Sequence, residues 1–113
     1  MSTVCKLDKR VNFLGYDCDI ELHEYLANKQ TAIQLIIADT DNNANKSSEL
    51  GEPMCMATVC LQNHLFKKHE TAIKNYSENE GILDVLVDAG IVRPTGKHTT
   101  SGLAIIPIVE FTL

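Results

Sequence analysis

The chain has 113 residues, 44% of them hydrophobic, which predicts one folded domain over residues 1–113 and argues against bulk disorder. Its 10 basic and 15 acidic residues leave a net charge of −5, so the composition lacks the basic footprint of a nucleic-acid-binding protein. No stretch approaches the roughly 20 apolar residues of a membrane span. Residues 1–10 also lack the pattern of a signal peptide, and we expect a cytoplasmic protein without membrane contact.

The first third of the chain predicts a β-hairpin. Residues 11–13 form a short extended start. Apolar and polar side chains then alternate from Cys18 to His23, which is typical of a half-buried strand. A polar turn at residues 28–30 separates it from a second, Ile-rich strand at Ala32–Ala38.

The middle of the chain predicts a long loop and shorter strands. Asp39–Pro53 is rich in Asn, Asp and Ser and reads as a loop. Met54–Leu61 follows as a third strand, Gln62–Glu70 as an irregular connector, and Thr71–Lys74 as a further short strand.

One helix is predicted from residue 78 to residue 89. Ser77 and Glu80 have the S-x-x-E spacing of a capping box. Gly90 suits a left-handed C-cap. The apolar positions recur at helical spacing: Ile82, Leu83, Leu86 and Ala89.

The chain closes with a predicted turn at Pro94–Lys97 and a long apolar strand, Gly102–Leu113. Leu103, Ile105 and Val109 fall on one face by period-two spacing. Pro107 has no N–H to donate, so this strand is expected at a sheet edge or beside a bulge. These elements predict an α+β fold: a curved, mostly antiparallel sheet of four to six strands with one main helix packed on one face.

Metal and phosphate motifs are incomplete. Asp39, Asp41 and Asn43 occupy the first oxygen positions of a calcium loop, but the required Gly and terminal Glu are absent. Gly90–His98 has one residue too many between its glycines for a phosphate loop. An anion site at Arg93, Lys97 and His98 remains a weaker alternative to an ordinary turn.

No catalytic or metal-binding constellation is predicted. His64, Lys67, Lys68 and His69 form a basic cluster without zinc-ligand spacing and read as a surface loop. The chain has four cysteines and no C-x-x-C pair. Three of them, Cys18, Cys55 and Cys60, lie in apolar runs, so we expect reduced, inert thiols. We therefore predict no catalytic residues, no metal and no cofactor.

Three carboxylates form the most suggestive surface pattern. Glu80, Asp84 and Asp88 are spaced four apart, so a helix over this segment aligns them on one face. A solvated helix face is the common explanation. The functional alternative is a contact surface for a basic partner.

The chain resembles a family of small proteins of unknown function found in bacteria, phages and mobile genetic elements. The resemblance begins near residue 18 and rests on short motifs in order: Ile33–Ile36, Gly51–Pro53, Ala57–Leu61, Ile73–Leu83, Ala89–Val92, Pro94–Lys97 and Ser101-Gly102. It implies a role inside a bacterial host cell and no known enzymatic activity.

These observations predict a non-enzymatic, protein-binding accessory protein of a phage or mobile element. One form of this hypothesis is an anti-CRISPR-like inhibitor of a defence system that targets nucleic acid. The predicted partner is a protein, such as a nucleic-acid-binding complex, and the chain itself is expected to be a monomer or homodimer without direct nucleic-acid binding. The predicted partner-binding residues are Glu80, Asp84, Asp88, Arg93 and Lys97.

Two other classes of function stay open. The first is a small metal- or cysteine-dependent enzyme. The second is a self-assembling structural accessory protein that pairs through an exposed edge strand such as Gly102–Leu113.

Overall fold

A computed structural model describes residues 2–26, 28–44, 51–61, 64–67 and 69–112. The first sheet has strand order β1-β2-β3-β4, with β1 at Ser2–Phe13, β2 at Tyr16–Glu24, β3 at Thr31–Ile37 and β4 at Pro53–Met56. The second has order β5-β7-β6, with β5 at Glu70–Ala72, β6 at Val92–Ser101 and β7 at Ala104–Phe111, and the helix α1 spans Ile82–Asp88. The predicted α+β class with a single helix is confirmed. The strands divide between two antiparallel sheets and number seven in the described ranges, instead of four to six in one sheet.

The hairpin of β2 and β3 follows the prediction closely. Cys18 pairs with Ile37, and the antiparallel register continues without a shift to Glu24 opposite Thr31. Cys18 and Ile20 are fully buried, because alternate residues of a strand point to the same face of the sheet.

Strand β1 is much longer than the extended start predicted at residues 11–13. Its charged segment, Lys6–Arg10, is exposed apart from half-buried Leu7 and contains a register shift against β2. Charged side chains on an edge strand discourage pairing with another chain. They also remove the apolar alternation by which a strand is recognised, which explains why the sequence did not reveal this part of β1.

The predicted third strand at residues 54–61 is wrong in length, because the chain changes sheets within it. Regular pairing with β3 ends at Met56. Thr58 then forms an isolated bridge with Ile73, next to β5. The Thr58 hydroxyl accepts the N–H of Ile33 at 3.1 Å. Where the chain leaves the first sheet, this side chain therefore takes the place of a backbone carbonyl as the partner of β3.

The predicted loop at 39–53 lies partly outside the described residues, since 45–50 are not among them. Its first turn is held in place by Asn43, which is 1% exposed. The Asn43 amide donates to the carbonyls of Asp17 and Ala38 at 2.8 Å each, and its oxygen accepts the N–H of Asp17 at 3.1 Å. This side chain fastens the loop to the first sheet.

The helix begins later than predicted, and the capping box is wrong. Ser77 has a positive φ of 57° and lies in a short 3-10 turn, after which α1 starts beyond Gly81. The cap comes instead from Asn75, whose side-chain oxygen accepts the N–H groups of Gly81 at 3.2 Å and Leu83 at 3.0 Å. An amide side chain therefore satisfies two of the free donors at the start of the helix.

The helix end matches the prediction. Gly90 has a φ of 71°, and the N–H groups of Gly90 and Ile91 donate to carbonyls of the last turn in the pattern of a Schellman motif. Ile91 and Leu86, which this motif brings together, are both fully buried. Lys9 of β1 also donates to the carbonyl of Ala89 at 3.1 Å, and so ties the edge strand to the helix terminus.

The final strand is central, not an edge. Strand β7 pairs with β5 on one side and β6 on the other. Over Ile108–Glu110 both edges of β7 are occupied by strands of the same chain, so this part of the strand is not the exposed edge that the assembly hypothesis invoked. Pro107 is accommodated by a register shift in β6 between Pro94 and His98, so the alternative of a bulge beside Pro107 is confirmed.

Two apolar clusters cover opposite faces of β7. Val109 belongs to the main core between the two sheets and α1, whereas Ile106 and Ile108 belong to a smaller cluster on the other face. Leu103 and Ile105, predicted to share one face with Val109, are exposed. These two residues lie near the tip of the β6–β7 hairpin, which extends beyond the core, so having the same period-two position as Val109 does not bury them.

Candidate functional site

The acidic helix face consists of Glu80, Asp84 and Asp88, and all three side chains are exposed. Asp84 and Asp88 lie within α1 one turn apart, so they share a face. Glu80 lies in the turn before the helix, and its alignment with the other two is not set by helical geometry as predicted. Among the residues that the structure describes, none of these carboxylates has an ion pair or a hydrogen bond.

Arg93 and Lys97, the predicted cationic residues, lie on β6 and are each paired with a carboxylate. Arg93 forms an ion pair with Glu110, its register partner on β7. The Lys97 ammonium lies 2.6 Å from Glu70, whose side chain is only 3% exposed. The backbone N–H of Lys67 donates to the other Glu70 oxygen at 2.8 Å.

The segment at 94–97, predicted as a turn, is a bulge within β6. Gly96 takes a φ of 83° there, a conformation that favours glycine. The Thr95 hydroxyl donates to the Ile108 carbonyl at 2.9 Å and accepts the Lys97 N–H at 3.1 Å. This holds the bulge and positions Lys97 over Glu70, while the exposed His98 resumes regular pairing.

The predicted site residues therefore occupy distinct surfaces. Arg93 and Lys97 line a cavity of about 500 Å³ together with Lys67, Glu70 and Glu110. Asp88 lines a different depression, between α1 and β1. The sequence did not point to Glu70 and Glu110, because they are far from Arg93 and Lys97 along the chain. The signal that hinted at a charged site was the basic cluster at residues 64–69.

Replacing Lys97 by Ala is expected to lower the free energy of unfolding at pH 7 by about 1–2 kcal/mol, because a nearly buried carboxylate loses its charged donor. Removing Arg93 serves as the control, since its ion pair is largely exposed and is worth about 0–1 kcal/mol. Urea denaturation of both variants measures the difference, and equal losses would contradict the special role of Lys97.

This effect has a defined pH dependence. The hydrogen bond from Lys97 is the main cause that holds the pKa of Glu70 below its ordinary value of 4.5, against partial desolvation. Since the folded-state pKa is the lower one, the stabilisation is complete above pH 4.5 and is lost as pH falls through the folded-state pKa. The difference between wild type and Lys97→Ala should therefore shrink in acid.

Two of the four cysteines are poorly suited to nucleophilic chemistry. Burial raises the pKa of both Cys18 and Cys55 to about 11. A thiol of that pKa is almost entirely protonated at neutral pH and is a poor nucleophile. The described cysteines are all free, and Cys5 is the exposed one.

We expect Cys5 to be labelled first by a maleimide at pH 8. Cys18 should react about 100-fold more slowly than an unperturbed thiol. Burial raises its pKa from 9.0 to about 11, and this lowers the fraction of thiolate at pH 8 by about that factor. Peptide mapping by mass spectrometry at successive times measures each rate, with urea-unfolded protein as the control. Rapid labelling of Cys18 in the folded protein would contradict this assignment.

Within the described ranges, no group of three or more His, Cys, Asp or Glu side chains is arranged to hold a metal ion. In the calcium-like segment, the Asn43 amide bonds to backbone groups of Asp17 and Ala38 and so fastens its loop, while residues 45–50 of that segment lie outside the described residues. None of the helices in the described residues is long and apolar enough to cross a bilayer.

The fold and the two surfaces define an α+β protein of two antiparallel sheets with one short helix. Compared with protein-family models, curated proteins and solved structures, the chain matches none of them.

Proposed function

We propose that the protein acts by binding a basic surface of another protein through the acidic helix face, and not by catalysis. The observation that supports this most directly is the state of Asp84 and Asp88. Both are exposed on one side of α1, and neither is neutralised by a described side chain.

The placement of these two residues has a local cost. Like charges one helical turn apart repel by about 0.2–0.5 kcal/mol. Asp88 is also the last residue of α1, where the helix dipole disfavours negative charge by about 0.3–1 kcal/mol. Carboxylates that destabilise their own helix are readily explained by a binding role, because a cationic partner attracts the charges that otherwise repel each other.

The finer proposal concerns the kind of partner. Proteins that handle nucleic acid present basic surfaces to phosphates, and an acidic protein of net charge −5 is electrostatically complementary to them. Together with the resemblance to small proteins of phages and mobile elements, this supports an inhibitor of a nucleic-acid-targeting complex in a bacterial host cell. Burial raises the pKa of Cys18 and Cys55 to about 11, which disfavours a cysteine enzyme that uses either of these two thiols.

The double variant Asp84→Lys/Asp88→Lys is expected to bind its partner at least about tenfold more weakly, because two favourable contacts become repulsive. A pull-down from a bacterial host, followed by a titration of the isolated partner at two salt concentrations, measures the effect. The unfolding free energy should not fall, and Asp88→Lys alone should raise it by about 0.3–1 kcal/mol.

Asp39→Lys/Asp41→Lys is the matched control, since it makes the same change of charge in an exposed loop. Equal loss of binding in both double variants would mean that net charge alone determines affinity. Unchanged binding after reversal at Asp84 and Asp88 would exclude the acidic helix face as the contact.

A further inference from the structure

A second surface, chemically opposite to the acidic helix face, lies beside β5. One cavity of about 390 Å³ is bounded by the turn between β2 and β3 and by the segment 64–67. It adjoins the cavity that contains Arg93 and Lys97, because both are lined by Lys67 and Glu70. We call the two together the basic groove.

The basic groove concentrates positive charge on an acidic protein. Among the described residues, its cations are Lys29, Lys67, Arg93 and Lys97 and its carboxylates are Glu70 and Glu110, which leaves a formal +2 on a chain of net −5. Both carboxylates are already paired. Within the described residues, the ammonium groups of Lys29 and Lys67 have no ion-pair partner, so they remain able to bind an anion.

The first cavity also contains an aromatic wall. The rings of His64 and Phe66 lie with centroids 4.5 Å apart and planes tilted by 59°. Phe66 packs on the smaller apolar cluster, which fixes the ring. Leu65, also lining the cavity, is 94% exposed. Cations beside rings and apolar surface suit a ligand that carries both a phosphate and a planar ring.

One wall of the groove, the β2–β3 turn, is tied to Leu61 by two hydrogen bonds. Gln30 and Asn28 of the β2–β3 turn both hydrogen-bond to the backbone of Leu61, which leads into the connector. Two residues of the groove, Lys29 and His69, have positive φ values of 61° and 69°. Such conformations cost free energy and concentrate at functional sites, and here both occur on one surface.

We propose that the basic groove binds a nucleoside phosphate, with the phosphate against Lys29 and Lys67 and the base against His64 and Phe66. This site is independent of the acidic helix face and uses none of its residues. A phosphate alone and a base alone each satisfy only one half of the groove.

Titration of the ¹⁵N-labelled protein, followed by NMR, with adenosine 5′-monophosphate, adenosine and inorganic phosphate tests the proposal. We expect saturable shifts at the groove with the nucleotide and at least about tenfold weaker binding of the other two probes. Absence of saturable binding of the nucleotide at millimolar concentration would overturn it. Stronger binding of a single-stranded oligonucleotide than of the mononucleotide would overturn the choice of a mononucleotide ligand.

Variants separate a built site from general attraction of anions. Lys29→Ala and Lys67→Ala should each weaken nucleotide binding by about tenfold, while Lys6→Ala, which removes the same charge from the exposed edge strand, should have no effect. Phe66→Leu should weaken binding of the nucleotide but not of phosphate. Equal effects of the three lysine variants would show only adventitious anion binding. Thermal denaturation of each variant confirms that the fold is kept.

Discussion

Replacing Gln30 by Leu is expected to lower the free energy of unfolding by about 3 kcal/mol, because two backbone groups lose their partners inside the protein. Gln30 is 5% exposed. Its amide nitrogen donates to the carbonyl of Val59 at 2.8 Å and to the hydroxyl of Thr71 at 2.9 Å. Its oxygen accepts the N–H of Leu61 at 3.0 Å. One side chain thus joins the turn of the first sheet to β5 and to the segment that precedes it.

The same replacement at Gln34 is the matched control. Gln34 lies on β3 and is half-buried, and no hydrogen bond of its side chain to a described residue is present. Gln34→Leu should therefore change the unfolding free energy by no more than about 0.5 kcal/mol. Urea denaturation followed by circular dichroism measures both, and similar losses for the two variants would show that the buried amide network contributes little.

Replacing Leu86 by Ala is expected to lower the free energy of unfolding by about 3–4 kcal/mol, since a fully buried leucine leaves a cavity. The effect is concentrated because α1 has seven residues, and a helix of that length is not stable in water without tertiary packing. Ile82 and Leu86 are its buried residues, so they provide most of that packing.

Leu83→Ala is the control within the same helix, because Leu83 is only partly buried and its truncation should cost about 1 kcal/mol. Loss of packing at Leu86 should also loosen the acidic helix face and weaken partner binding, whereas Leu83→Ala should leave binding intact. Leu86→Ala with wild-type stability would mean that the helix is held mainly by its caps at Asn75 and Gly90 instead of by the core.

The parts of the fold that the sequence predicted correctly depend on neighbours along the chain. Alternation from Cys18 to His23 predicted β2, and its pairing with β3 followed from the short turn between them. Gly90 predicted the helix end, because only a few residues favour the left-handed conformation that a Schellman motif requires. The exposed carboxylates Asp84 and Asp88 were likewise predictable from helical spacing.

The wrong predictions have two different origins. The capping-box error is local: Ser77 and Glu80 have the right spacing, yet α1 begins at Ile82, because the Asn75 side chain accepts the N–H groups of Gly81 and Leu83. The strand error arises because distant partners outweigh a local pattern. Residues 54–61 look like one strand, yet the Thr58 hydroxyl and the bridge to Ile73 divide them between two sheets.

Length, composition and short-range periodicity were enough to determine the class of this protein, its central hairpin, the helix C-terminus and an acidic helix face. The tertiary structure alone decided that the last strand lies in the middle of a sheet and that Lys97 meets Glu70. It also decided that Lys29, Phe66 and Lys67 share one groove. The physical reason is that these contacts join residues widely separated along the chain, and local spacing carries no information about which distant strands become neighbours.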